Sequence, residues 1–104
     1  ARIKPLINKW QEIIGVQVNS WDVRRMKTKW GSCNAYAKRI WVNLELAKKP
    51  EECLEYIIVH ELVHLHERHH NDKFVALMDK FLPNWRYRKQ LLNELPLSYE
   101  EWDY

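Results

Sequence analysis

All five histidines of the 104-residue chain fall between His60 and His70. Within that window His60 and His64 stand four residues apart, with Glu61 directly after the first. On a helix, four residues make one turn plus about 40°, so both imidazoles leave the same face and can grip one cation. Glu61 sits about 100° around from His60, at the edge of that face. From there its carboxylate can serve as general base toward a water beside the ion without itself becoming a ligand. The chemistry this pattern suits is hydrolysis of a polar bond by metal-activated water. The competing explanation is a histidine-rich helix end, where cations complement the negative pole of the dipole. The surrounding apolar residues Cys53, Leu54, Ile57, Ile58, Leu62 and Leu65 argue against it. They describe a helix built for burial, and buried imidazoles need partners, which a metal supplies.

A catalytic zinc takes three protein ligands and keeps one position open. The third ligand must lie off the helix or beyond a bend, since a further histidine on one straight helix is too distant. His66, His69, His70, Glu67 and Cys33 compete for the place. His66 lies about 200° around from His64 and faces away. His70 is preferred, because His60, His64 and His70 then follow the i, i+4, i+10 spacing that also occurs in metzincins. A Gly makes the bend there, whereas Glu67 holds that position here. A non-glycine residue near Arg68 or His69 is therefore expected to take the turn at some strain. Zinc is the expected ion, with another divalent metal such as Ni2+ able to stand in for it. His66 and His69 read as exposed or capping residues.

The elements that must position these groups follow from periodicity. Ile3, Leu6, Ile7, Trp10, Ile13 and Ile14 recur at helical spacing, with Gly15 as a stop. Val16 to about Met26, Thr28 to Cys33, and Arg39 to Leu44 read as strands, with a turn over Asn34–Ala37. Short strands in sequence favour an antiparallel meander. Lys49-Pro50-Glu51-Glu52 starts the long helix, expected to run from about Pro50 to about Arg68. A further helix, capped near Asn71 or Asp72, turns Phe74, Leu77, Met78 and Phe81 inward and ends at Pro83. Trp85 to Asn93 forms a last short helix, and the acidic, aromatic tail beyond Pro96 is irregular. The expected fold class is α+β, a small antiparallel sheet packed on a long central helix.

With 46% apolar and 12% aromatic residues, the chain has material for one packed core and is not disordered. It is expected to be a single domain over residues 1–104, cut from a longer protein and lacking upstream elements. Two cysteines, Cys33 and Cys53, are too few for a disulfide scaffold and read as free thiols in a reducing, cytoplasmic setting. No apolar run reaches the roughly 18 residues of a membrane span. Charge is unevenly spread: residues 1–50 carry 11 Lys/Arg against 3 Asp/Glu, and residues 51–104 carry 6 against 11. The basic half, with Arg24, Arg25, Lys27, Lys29, Lys38 and Arg39, leaves a nucleic-acid partner open, although no run exceeds two consecutive cations.

Four separated stretches, in order, resemble the YgjP-like metal-dependent hydrolases, relatives of the WLM and SprT-like zinc metallopeptidases. They are Lys29-Trp30-Gly31-Ser32-Cys33, Ile40-Trp41-Val42-Asn43, His60-Glu61-Leu62-Val63-His64 and His70-Asn71-Asp72-Lys73-Phe74. The resemblance covers about residues 1–93. It implies a zincin-like minimal domain whose third ligand is the His four residues before an aromatic, which is His70 relative to Phe74. Two positions depart from the family's pattern: Val75 stands where a Trp usually follows, and Lys29 where an Arg often precedes the Trp.

The function expected is a zinc metallopeptidase of the HExxH type acting on a peptide or protein. Its metal is held by His60, His64 and His70, and Glu61 is its base. Trp30, Gly31 and Ser32, on a sheet edge near the helix, are the candidate substrate-binding residues through backbone pairing. Trp30 and Trp41 otherwise read as core aromatics, and Cys33 as a small buried hydrophobe. Tyr36, Tyr87, Arg86 and Arg88 have the chemistry of an oxyanion stabiliser, and nothing in the sequence ranks them. The alternative function is a zinc-stabilised binding or adaptor module, in which Cys33 or Glu67 closes the fourth position.

Overall fold

The apolar stripe of the first segment becomes α1 (Ile3–Ile14), which buries Ile7, Trp10 and Ile14. Gly15 ends it in the left-handed region at φ 81°, and the N–H groups of Gly15 and Val16 both bond to Gln11 O at 3.0 Å. A helix that must reverse direction favours glycine there, because a Cβ at positive φ is strained. Residues 2–94 are described by the structure, a computed structural model. The elements that follow are β1 (Ser20–Arg24), β2 (Gly31–Asn34), β3 (Arg39–Asn43), α2 (Glu51–Val63), α3 (Asp72–Phe81) and α4 (Trp85–Asn93). The expectation for the tail beyond Pro96 lies outside the described residues.

The three strands form one sheet in the order β1-β3-β2. β2 and β3 make the expected antiparallel hairpin. Its turn is closed by Asn34 Oδ1, which accepts from Ala37 N at 3.0 Å. β1, however, pairs with β3 in parallel, from Ser20 opposite Arg39 to Arg24 opposite Asn43. The meander is thus corrected to a mixed sheet.

The cause is the 25–30 linker, which crosses the end of β3 instead of turning back beside β1. Asn43, only 1% exposed, holds that crossing: its Nδ2 donates to Met26 O at 2.8 Å and to Lys29 O at 2.7 Å. Its Oδ1 accepts from Glu45 N at 3.0 Å and opens a 3-10 turn over Leu44–Lys48 that periodicity did not reveal. Alternation reports which face a strand buries, not which edge it joins.

α2 runs through the centre. Every residue from Tyr56 to Val63 is buried, so the helix is enclosed on all sides, as a helix apolar all round must be. Ile40 and Val42 of β3 pack inward in the same core. Glu55 ties three helices together, accepting from Trp10 Nε1 of α1 at 2.8 Å and from Arg88 Nη1 of α4 at 2.9 Å. The ordered helix stops at Val63, five residues before the expected Arg68. Leu65 N to Leu62 O and His66 N to Val63 O are tight i+3 bonds that wind the chain off the axis. Among the described residues, no helix is long and apolar enough to cross a membrane.

Candidate metal centre

The shortened α2 is what brings three histidines together. His60 lies in its last turn, and His64 caps it while keeping right-handed helical angles (φ -62°, ψ -19°), so the two rings still share a face. Their centroids are 4.7 Å apart. The chain then bends and returns His70 to the same place, with centroids 5.2 Å from His60 and 4.7 Å from His64.

The bend needs no strained residue. The only non-glycine position at positive φ among the described residues is Lys38, so the strain expected near Arg68 or His69 is absent. Glu67 shapes the turn instead: its carbonyl accepts from His64 Nδ1 at 3.1 Å, and its Oε1 accepts from Asn71 Nδ2 at 3.2 Å and from His69 N at 3.4 Å. A side chain thus does by hydrogen bonding what a glycine does by conformational freedom.

Phe74 supports the cluster. It stacks on His64 at 4.7 Å and meets His60 and His70 at 5.1 Å and 5.0 Å in edge-on geometry. Asn71 starts α3 by accepting from Phe74 N at 3.0 Å, which fixes that ring in the first turn of the helix, four residues after His70. In the sequence Phe74 read as an inward residue of a helix and, through the resemblance, as the aromatic that marks His70, but not as a ring in contact with all three histidines.

Hydrogen bonds set the tautomers. A carbonyl can only accept, so His64 carries its proton on Nδ1 toward Glu67 O and turns a lone pair on Nε2 toward the cluster. His70 Nε2 lies 2.9 Å from that atom and donates to it. One ligand atom from each of His60, His64 and His70 falls within 4.8 Å of the others. Tetrahedral bonds of about 2.0–2.1 Å place ligand atoms about 3.3 Å apart, so one divalent ion fits this set once the separations adjust by at most about 1.5 Å. Neutral imidazoles are also the right donor chemistry. Among the described residues, the three histidines are the one group so placed.

Burial governs the charges. It drives His60 down to about 3 and, aided by the neighbouring His60, drives His64 down to about 4. Burial also pushes the Glu61 carboxyl up to about 7, against the opposing pull of His64, His70 and Lys29. Glu61 is 2% exposed, and its Oε2 lies 3.0 Å from His60 Nδ1. Both groups are pushed toward neutrality, so that contact is a hydrogen bond and not a stable ion pair.

These shifts set the acid stability of the metal-free chain. Between about pH 6.5 and 4.5, unfolding lets both rings take up protons while Glu61 releases one, a net uptake of one. Stability must fall as pH falls, by at most about 1.4 kcal/mol per pH unit, and by less because His64 is only half-buried. Urea midpoints measured in chelator across this range will show the decline. A flat profile would mean that the rings are not buried.

The cluster opens on a cleft of about 730 Å³ walled by β2 and the hairpin turn. Gly31, Ser32 and Cys33 line it together with Tyr36 and Trp41. Trp30 departs from the substrate-binding expectation: it is 3% exposed, it packs in the core, and it does not line the cleft. Trp30 sits in the bend just before β2 and is given to the core, with Lys49 over its ring. Cys33 is half-buried, and burial together with Glu61 pushes its thiol up to about 12, so it stays protonated. Of the other candidates, His66 Nε2 donates to Ile14 O at 3.0 Å and braces α1, while His69 is exposed. Tyr36, 99% exposed, lines the cleft at the turn, whereas Arg86 is engaged by Asp79 and Arg88 by Glu55.

Gly31 is a position where close packing, not spacing, accounts for the glycine. A Cβ there would meet Ile57 Cγ2 at 2.7 Å and Glu61 Oε2 at 2.9 Å. Backbone must approach α2 this closely for the strand to wall the cleft. Gly31→Ala is expected to destabilise the fold by about 1–3 kcal/mol and to displace the Glu61 carboxyl. An unchanged denaturant midpoint would contradict that packing.

Residues 1–95 match the family described as YgjP-like, metallopeptidase domain. The chain belongs to that family. Two solved structures resemble the YgjP-like domain. One is the metallopeptidase zymogen of Pyrococcus abyssi abylysin, with a TM-score of 0.78 at 21% identity over 89% of this chain and 94% of that one. The other is the metallopeptidase zymogen of Methanocaldococcus jannaschii jannalysin, with a TM-score of 0.65 at 27% identity over 77% and 81%. No curated protein matches the YgjP-like domain. At a TM-score of 0.78 this fold, a three-stranded mixed sheet beside the long helix α2, is shared with the abylysin structure.

Proposed function

We propose that this domain is a zinc-dependent metallopeptidase in which His60, His64 and His70 hold the ion and Glu61 is the general base. The observation that carries the reading is the convergence of three imidazoles, from two sides of a bend, beside a buried carboxylate at the floor of a cleft. A divalent ion bound there supplies Lewis acidity, lowering the pKa of water toward 7 and polarising a carbonyl.

The remaining work falls to the chain itself. Glu61 takes a proton from the attacking water and returns it to the leaving nitrogen. Burial raises that carboxyl toward the working pH, where the efficiency of transfer in both directions is greatest. A cation beside it draws that value downward. β2 is an edge strand of the sheet and walls the cleft, so an extended peptide can pair with Gly31 and Ser32 through backbone hydrogen bonds. Burial of His60 and Glu61 keeps bulk water from competing for their protons.

The alternative of a zinc-stabilised module without catalysis needs a fourth protein ligand. Neither Cys33 nor Glu67 joins the three histidines in the cluster of ligand atoms among the described residues, and Glu67 is spent on the bend, which favours an open position instead. Removal of metal tests the proposal. Hydrolysis of a quenched peptide library is expected to fall to background after chelation and to return on adding Zn2+. Cleavage indifferent to chelator would defeat the reading.

A further inference from the structure

Two cations stand in the cleft without a counter-charge beyond Glu61. We propose that Lys29 and Arg68, which line the same cleft as the His60–His64–His70 cluster, select a carboxylate on the bound peptide. The inference rests on the peptidase reading and adds the substrate class.

Both side chains are exposed, and both line the same cleft as Glu61 and the three histidines. Neither joins an ion pair among the described residues, whereas Arg2, Lys9, Arg39, Lys48, Arg86 and Arg88 each lie against a carboxylate. The cleft's lining contains one acidic residue, Glu61. That group is 2% exposed, so the open part of the cleft presents net positive charge to whatever enters.

The two cations are also carried on held backbone. Lys29 O accepts from the buried Asn43 side chain at 2.7 Å, which fixes the approach to β2. Arg68 sits in the bend that Glu67 staples through His64, His69 and Asn71. An ordered backbone with a free charged head is a low-entropy way to meet an anion. A peptide paired along β2 starts its run beside Lys29, while the Arg68 guanidinium offers a planar fork matched to a carboxylate. The carboxylate can belong to an Asp or Glu side chain or to the peptide's free C-terminus.

Two measurements decide the matter. The first compares kcat/KM of the zinc-loaded protein on peptides differing only by Glu or Gln near the scissile bond, each as free acid and as C-terminal amide. The second measures binding of the same labelled peptides by fluorescence anisotropy, which needs no turnover. Carboxylate-bearing peptides are expected to be favoured by about tenfold or more at low salt, with the margin shrinking as salt rises.

The doubly reversed variant Lys29→Glu with Arg68→Glu should erase that ratio and favour Lys-bearing peptides. A ratio lost on replacing Glu by Gln identifies the side chain as the source, and one lost on amidation identifies the terminus. Equal treatment of all peptides by the wild type, or a preference untouched by charge reversal, overturns the inference. Should no peptide be cleaved, the peptidase reading falls, while the anisotropy ratio still decides the carboxylate preference.

Discussion

Glu61→Gln is expected to lower peptide turnover by about a hundred- to ten-thousand-fold while leaving zinc content unchanged. The substitution is nearly isosteric, so it preserves the close packing against Gly31 and Ile57. The amide oxygen can still accept from His60 Nδ1, the contact that now spans 3.0 Å. What disappears is a group able to take and return a proton. Stability is not expected to fall, because burial already disfavours the charged carboxylate that the amide replaces. A loss of turnover with intact zinc and an intact denaturant midpoint therefore isolates proton transfer. Wild-type turnover in this variant would remove Glu61 from the mechanism.

His70→Ala carries the second large effect. With one of three ligands gone, zinc affinity is expected to fall by more than the roughly 10- to 100-fold that loss of an outer-shell partner produces. His70 suits this test better than His60. It is exposed on the bend, whereas His60 is 1% exposed and touches Tyr56 as well as Phe74. The metal-free fold of His70→Ala should stay within about 1 kcal/mol of wild type. His69→Ala is the matched control: its ring lies outside the cluster, so its affinity should be unchanged. Titration against a chelating dye measures all three proteins. Equal losses for His69 and His70 would mean that the bend merely collects histidines.

Much of this centre was legible in the residues. The i, i+4 spacing of His60 and His64 demands one face wherever the segment is helical, and the apolar run around it made a helix the economical solution. His70 was preferred from its distance beyond the pair, and the resemblance to the YgjP-like family, whose third ligand precedes an aromatic by four residues, pointed to the same residue. The means of the bend did not, because a Glu67 that hydrogen-bonds three neighbours looks the same in sequence as an exposed acid. The early end of α2 was hidden for a related reason, since Leu65 continues the apolar period past the last helical turn. Strand order was hidden more deeply. Asn43 reads as a polar strand end, yet its buried amide draws the 25–30 linker across β3 and so decides which edge β1 joins. Likewise, Trp30, just before β2, and Gly31, its first residue, are chain neighbours with opposite fates, one given to the core and one to the cleft.

X-ray absorption at the zinc edge tests the central claim most directly. The zinc-loaded protein is expected to hold one ion per chain, with nitrogen and oxygen neighbours at about 2.0–2.1 Å and the outer-shell scattering of three imidazoles. A sulfur neighbour at about 2.3 Å, or fewer than three imidazoles around the ion, would contradict it.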